Sequence, residues 1–91
     1  MNPVPIEITG DCTLPNLGKL HRQLTSRLTA AEAVNIDLSA MASIDAAGVQ
    51  LLLAMKKNAA AAGKTFTLLA PPDFLEQTLQ NLGLDPDLLT G

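Results

Sequence analysis

A long helical pattern between two short strand patterns is the feature that most constrains the fold of this chain. Residues 34–38 alternate in polarity and residues 65–69 are rich in β-propensity side chains, whereas residues 46–62 are mostly strong helix formers. Gly63 follows the helical pattern, at the position where a left-handed C-terminal residue is expected. A strand, a helix of this length and a second strand predict a right-handed crossover and a parallel strand pair.

The remaining segments extend the same alternation of strand and helix. Residues 4–9 read as a first strand that Gly10-Asp11 breaks, and Thr13 and Pro15 are typical of a helix start. The predicted helices are residues 14 to about 28, 46–62 with Asp45 as N-cap, and 74–82 ending at Gly83. The order β-α-β-α-β-α predicts an α/β fold, and we expect one domain over residues 1–91.

Composition narrows the classes of function. The chain has 91 residues, of which 47% are hydrophobic, and this is enough for one small core. A net charge of −3 without a basic stripe argues against nucleic-acid binding. No run approaches the roughly 20 apolar residues that span a bilayer, so we expect no membrane insertion. The start M-N-P-V-P-I-E-I has neither a basic n-region nor an apolar h-region, so we expect no signal peptide. The single Cys12 cannot form an internal disulfide, which favours a reducing, cytoplasmic location.

Motifs for catalysis or metal binding are weak. Gly63-Lys64-Thr65 resembles the end of a phosphate-binding loop, but Asn58 stands where a second glycine is needed, and Gly63 is better explained as a helix cap. Asp85 and Asp87 flank a proline and are typical of a turn rather than of a metal site. We therefore expect no metal and no cofactor.

Two further pairs of residues are candidates for catalytic groups. Cys12 and His21 lack a third, orienting group, so Cys12 is interpreted as a small residue in a turn and His21 as lying at the margin of a leucine stripe. Asp37 and Asp45 resemble paired carboxylates, but no aromatic or basic partner accompanies them, and Asp45 is accounted for as a helix cap. We expect no catalytic residues, and the chain is predicted not to be an enzyme.

The helix over residues 46–62 is unusually apolar on its predicted outer face. At 100° per residue, one side is expected to face the sheet and carries Gly48, Leu51, Leu52, Met55, Ala59 and Ala62. The opposite side carries Ala46, Val49, Gln50, Leu53, Lys57 and Ala60. Scattered exposed apolar residues are ordinary, but Val49 and Leu53 lie close together, and we predict that they form a small docking surface near the helix start.

Phosphorylation of a side chain at position 46 would regulate the binding of a partner. A phosphoryl group on a hydroxyl there would be stabilised by the helix start and would expel an apolar partner. The residue at this position is Ala46, which has no hydroxyl.

Several segments together resemble the STAS domain, the family of the anti-sigma factor antagonists and of the cytoplasmic tails of sulfate transporters. The similarity runs from about Ile6 to Leu84 and is carried by the segments V-N-I-D-L-S, S-I-D-A-A-G-V-Q-L-L-L-A, A-A-G-K-T-F-T-L-L and N-L-G-L. Gly10-Asp11-Cys12-Thr13-Leu14 is similar to the family's turn before its first helix. The resemblance implies a mixed sheet of four to five strands with helices mainly on one side.

The resemblance also implies where a partner protein binds. Asp45 and Gly48 match the family's loop aspartate and glycine, and Ala46 stands at the phosphoacceptor position. The expected partner-binding residues are Asp45, Ala46, Ala47, Gly48, Val49, Gln50, Leu53 and Lys57. Ser43 is the alternative candidate for a phosphosite.

Two classes of function follow from this resemblance. In the first, the chain is a bacterial signalling adaptor of the anti-sigma factor antagonist type that binds a kinase-type anti-sigma factor or a chemotaxis component. In the second, it is similar to the small STAS subunit that docks on the ATPase of a phospholipid-trafficking ABC transporter. A regulator would exchange between partners, whereas a transporter subunit would be held permanently.

Overall fold

A computed structural model of the protein describes residues 5–30 and 33–90. The described strands are β1 (Ile6–Glu7), β2 (Gly10–Cys12), β3 (Ala33–Asp37), β4 (Met41–Ile44) and β5 (Thr65–Leu69). A 3₁₀ turn (Leu14–Asn16) leads directly into α1 (Leu17–Ala30). The remaining helices are α2 (Ala46–Ala61), α3 (Asp73–Asn81) and α4 (Asp87–Thr90). The α/β class is confirmed, but the predicted order β-α-β-α-β-α is not, because β2 and β4 add a second strand before α1 and before α2, and α4 follows α3.

The strands pair in two small parallel sheets. In the first, β3 lies between β1 and β5, with Ile36 opposite both Ile6 and Leu68. In the second, β2 pairs with β4, and a register shift follows Gly10. The parallel pairing predicted across the α2 crossover is confirmed. The expected mixed sheet of four to five strands is not found: the described strands divide into a sheet of three and a sheet of two, and every ladder between them is parallel.

One face of the three-stranded sheet is buried and the other is polar. Along β3, Val34 and Ile36 are buried, and Leu38 continues the same alternation just after the strand. The intervening Asn35 and Asp37 are only half-buried. Since α1 and α2 contact each other as well as the strands, both helices cover the same apolar face. The expected arrangement of helices on one side of the sheet is therefore confirmed for these two helices.

Helix α2 supplies much of the core. Its buried residues are Gly48, Val49, Leu51, Leu52, Met55 and Ala59. The prediction that Ala62 faces the sheet is wrong, since this residue is exposed beyond the end of the helix. The prediction that Val49 faces solvent is also wrong, because its side chain is 0% exposed. The buried residues of α2 therefore cover a wider arc of the helix than the predicted sheet-facing side.

Several boundaries differ from those predicted. Gly10 does not break the first strand but begins β2 with a φ of +73°, and Cys12 is a core residue of that strand rather than part of a turn. Strand β4 and helix α4 were not predicted. Gly63 and Gly83 adopt the predicted left-handed conformation, with φ values of +71° and +75°. The predicted first strand began at Val4, which lies outside the described residues.

No helix within residues 5–30 and 33–90 is both long enough and apolar enough to cross a membrane.

Candidate functional site

Asp45 joins the start of α2 to the loop that follows β2. One carboxylate oxygen accepts a hydrogen bond from the backbone N–H of Gly48 at 2.8 Å, which confirms the predicted N-cap. The other accepts from the backbone N–H of Leu14 at 3.1 Å. The Asp45 backbone N–H in turn donates to the carbonyl of Cys12 at 3.4 Å. Asp45 therefore ties three segments together.

These hydrogen bonds also fix the charge of Asp45. Donation by the Gly48 and then the Leu14 backbone N–H groups holds the pKa of the Asp45 carboxyl below its ordinary value. The pKa of Asp37 is lowered in the same way, by hydrogen bonds from Ser39. Both carboxylates are thus stabilised in their ionised form and engaged by nearby backbone groups. This arrangement suits a structural cap and does not suit a general acid.

Gly48 allows α2 to lie directly against the strands. A Cβ atom at this position would lie 2.1 Å from the carbonyl oxygen of Cys12 and 2.8 Å from Cγ1 of Ile44. Because the nearer atom is backbone, no side-chain rotation would relieve the contact. Gly48 is itself buried. Its role is therefore to set the position of the helix start, and its own atoms are not available to a partner.

Cys12 is buried beneath this junction. Burial raises the pKa of its thiol to about 11, and the negative charge of Asp45 adds to the effect. At neutral pH the residue is a neutral thiol that packs in the core. His21 lies on the exposed side of α1. The structure thus places Cys12 in the core and His21 on the surface of α1.

The exposed part of the junction is apolar. Ala46 is exposed and Ala47 half-buried at the first turn of α2. Leu14 is 68% exposed, and its backbone is fixed beside this turn by the hydrogen bond to Asp45. Leu14 was not predicted as a site residue. The sequence showed a leucine at a helix start, but it did not show that the backbone of this leucine would be bonded to Asp45, the residue before Ala46.

The other predicted contact residues divide into accessible and buried ones. Gln50 and Lys57 are exposed on α2, and Leu53 is half-buried and packs against the core. Val49 cannot contact a partner because it is fully buried. We call Leu14, Ala46, Ala47 and Gln50 the candidate docking surface.

Ser43 lies on β4 near the junction and is half-buried. Its hydroxyl donates a hydrogen bond to the Asp11 carboxylate at 2.7 Å. A phosphoryl group on Ser43 would lose this hydrogen bond and place about two further negative charges beside Asp11.

The described residues contain no group of three or more His, Cys, Asp or Glu side chains that could hold a metal ion. Asp85, one of the pair considered as ligands, instead accepts a hydrogen bond from the backbone N–H of Asp87 at 2.9 Å and so begins α4. The two residues therefore mark a turn that continues into a short helix.

A family model described as "Mlab, STAS domain" matches residues 1–90. The chain belongs to the STAS domain family. Comparison with curated proteins gives no match. STAS domains are generally non-catalytic regulatory domains and typically mediate protein–protein interaction. In this STAS domain, Asp45 caps α2, and the residue that follows it at the helix start is an exposed alanine, Ala46.

Proposed function

We propose that this STAS domain is a non-catalytic regulatory protein that binds a partner protein through the docking surface at the start of α2. The observation that carries the proposal is the exposed Leu14, whose backbone N–H donates a hydrogen bond to Asp45, the cap of the helix that begins with the exposed Ala46. An apolar side chain that is both exposed and fixed at its backbone loses less conformational freedom on binding than a mobile one. Both carboxylate oxygens of Asp45 accept hydrogen bonds, which favours the ionised form and supports a structural role for this aspartate.

The resemblance to anti-sigma factor antagonists supports the first class of partner, a kinase-type anti-sigma factor or a chemotaxis component. With Ala46 at the acceptor position, such a protein would stay in its binding-competent form, because no phosphoryl group can form there. Ser43 is a poor replacement because of its bond to Asp11. We therefore propose that binding is not switched by phosphorylation at this helix start.

Two observations favour a second class of partner, the ATPase of a phospholipid-trafficking ABC transporter. A docking surface without a switch suits a permanently held subunit. In addition, the matching family model is described by the name Mlab and not as an antagonist of an anti-sigma factor. In either class the partner would meet this domain in the cytoplasm, the location that the single cysteine favours.

Affinity capture from the native organism's lysate tests the proposal. Tagged wild-type protein and the Ala46→Asp variant would be compared by mass spectrometry, with Ala40→Asp as a control at an exposed turn alanine. A partner retained by wild type and Ala40→Asp but lost by Ala46→Asp is the expected result. A kinase-like or chemotaxis protein would identify the first class, and an ABC ATPase with its membrane subunit the second. Equal retention by all three proteins would contradict the proposal.

A further inference from the structure

Helix α2 has an outer face that is too apolar for a helix facing only water. Its polar side chains are limited to Gln50, Lys56, Lys57 and Asn58. A helix that is apolar nearly all round is normally covered on all sides. Here the strands and α1 cover one side, and exposed alanines remain on the other.

A groove runs between this outer face and α4. It has a volume of about 690 Å³, and its apolar lining is Leu53, Ala54, Ala60 and Leu88. The side chain of Leu88 is 46% exposed. Small alanines on the floor of a groove let the backbone of a packed helix approach closely.

The groove is preformed within the domain. Nζ of Lys56 donates a hydrogen bond to the Leu88 carbonyl at 2.6 Å and so fastens α4 to α2. Leu89, the next residue, is buried in the core and so holds α4 against the rest of the domain. The hydrogen bond to the Leu88 carbonyl and the burial of Leu89 therefore hold the Leu88 side chain at the exposed edge of the groove.

We propose that this groove receives an amphipathic helix of the partner protein, with aliphatic side chains on its buried edge and Asp or Glu beside Lys57. The inference rests on the proposed function and extends it, because the groove continues from Gln50 of the docking surface to Leu53 and Leu88. A helix placed along α2 would thus contact both regions. Helices of this kind bind grooves through anchors at positions i, i+3, i+4 and i+7.

Charge determines which occupant fits. Helix α2 carries two lysines and no acidic residue, in a chain whose net charge is −3. Among the residues that the structure describes, the one acidic residue that lines the groove is Asp87 of α4. A two-fold contact with a second copy would bring together four lysines and two aspartates, an excess of like charge. A partner helix with acidic residues complements the groove instead.

A titration with two model peptides tests the proposal. Both would be helical, with leucines at i, i+4 and i+7, and their flanking positions would all be Glu in one and all Lys in the other. Backbone amide shifts of the isotope-labelled full chain would be followed by NMR. We expect the Glu peptide to shift the signals of Gln50, Leu53, Lys57 and Leu88 and to bind about tenfold more tightly than the Lys peptide.

Leu88→Ser and Leu82→Ser form a matched pair of variants, since Leu82 is 42% exposed and lies outside the groove. Leu88→Ser should weaken binding of the Glu peptide, whereas Leu82→Ser should not. Equal affinity for the two peptides, or shifts away from the groove, would overturn the inference. So would a dimer in sedimentation that Leu88→Ser dissociates, because a second copy would then occupy the groove.

The same variants separate this inference from the proposed function. A native partner that is lost with Ala46→Asp but kept with Leu88→Ser would leave the docking surface standing and overturn the role of the groove. A partner lost with both variants supports the two together. Retention by both would contradict both.

Discussion

The backbone N–H of Leu14 donates a hydrogen bond to the carboxylate of Asp45 at 3.1 Å, although 31 residues separate them. The same carboxylate caps α2 through Gly48. One side chain thus caps the start of α2 and binds the backbone of Leu14, whose side chain is 68% exposed. The proposed docking surface depends on this pair of hydrogen bonds.

Gly48→Ala should destabilise the fold by about 2 kcal/mol or more, because the new methyl group would collide with the backbone oxygen of Cys12. Urea unfolding followed by circular dichroism would measure the change. Gly18→Ala is the matched control, since Gly18 is a helical glycine on α1 whose added Cβ would have open space within 4 Å. That substitution should stabilise the protein by roughly 0.5–1 kcal/mol. A neutral Gly48→Ala would show that α2 lies farther from β2.

Asp45→Ala should lower the thermal midpoint by about 4–8 °C, the effect of losing a typical helix cap in a domain of this size. Asp45→Asn should lower it less, since one amide oxygen can cap Gly48 but cannot also replace the acceptor of Leu14.

The pKa of Asp45 is lowered on folding, so its stabilising effect is present above the unfolded pKa and is lost as pH falls through the folded pKa. The difference between wild type and Asp45→Ala should therefore shrink in acid. A difference independent of pH would contradict this account.

The Cys12 thiol should be unreactive in the native protein at about pH 8, because burial raises its pKa to about 11. Ellman's reagent should detect no thiol until the protein is unfolded. Ala46→Cys provides the comparison, since a thiol at this exposed position should react at once and give one equivalent. Stability should also fall as pH rises from the unfolded towards the folded pKa of Cys12. Rapid reaction of wild type would show that the junction opens readily.

Val49→Ala should cost roughly 1–3 kcal/mol of unfolding free energy, since a buried side chain is truncated. Gln50→Ala, at the next position on the exposed side, should change stability by less than about 0.5 kcal/mol. Leu53→Asp should also destabilise the fold, because Leu53 packs partly against the core. Chemical denaturation of the three variants would measure these differences. Equal effects at positions 49 and 50 would contradict the orientation of α2.

The sequence predicted the elements whose signals are local. Asp45, Gly63 and Gly83 mark helix ends through short-range backbone chemistry, and the strand over residues 65–69 was placed correctly. Strand β4 was not predicted because Met41–Ile44 is short and depends on pairing with β2, a contact distant in sequence. The predicted exposure of Val49 was wrong because α2 contacts both strands and α1, which widens its buried arc.

The candidate site was predicted in outline through the family's loop pattern. Its aspartate, alanine and glycine were identified, but only the three-dimensional structure joins them to Leu14. No spacing rule connects residue 14 to residue 45, since the contact depends on how the loop after β2 passes the start of α2. The groove beside α4 was likewise not predicted, because Asp85-Pro86-Asp87 reads as a turn and the helix after it is only one turn long.

The most direct test of partner docking at the start of α2 is the affinity of the captured partner, once purified, for a panel of folded variants. Binding of wild type, Leu14→Ser, Ala46→Glu and Leu82→Ser would be measured by biolayer interferometry, with thermal midpoints recorded in parallel. We predict at least about tenfold weaker binding for Leu14→Ser and Ala46→Glu, and a change of about twofold or less for Leu82→Ser. Wild-type affinity in folded Leu14→Ser and Ala46→Glu would contradict the account.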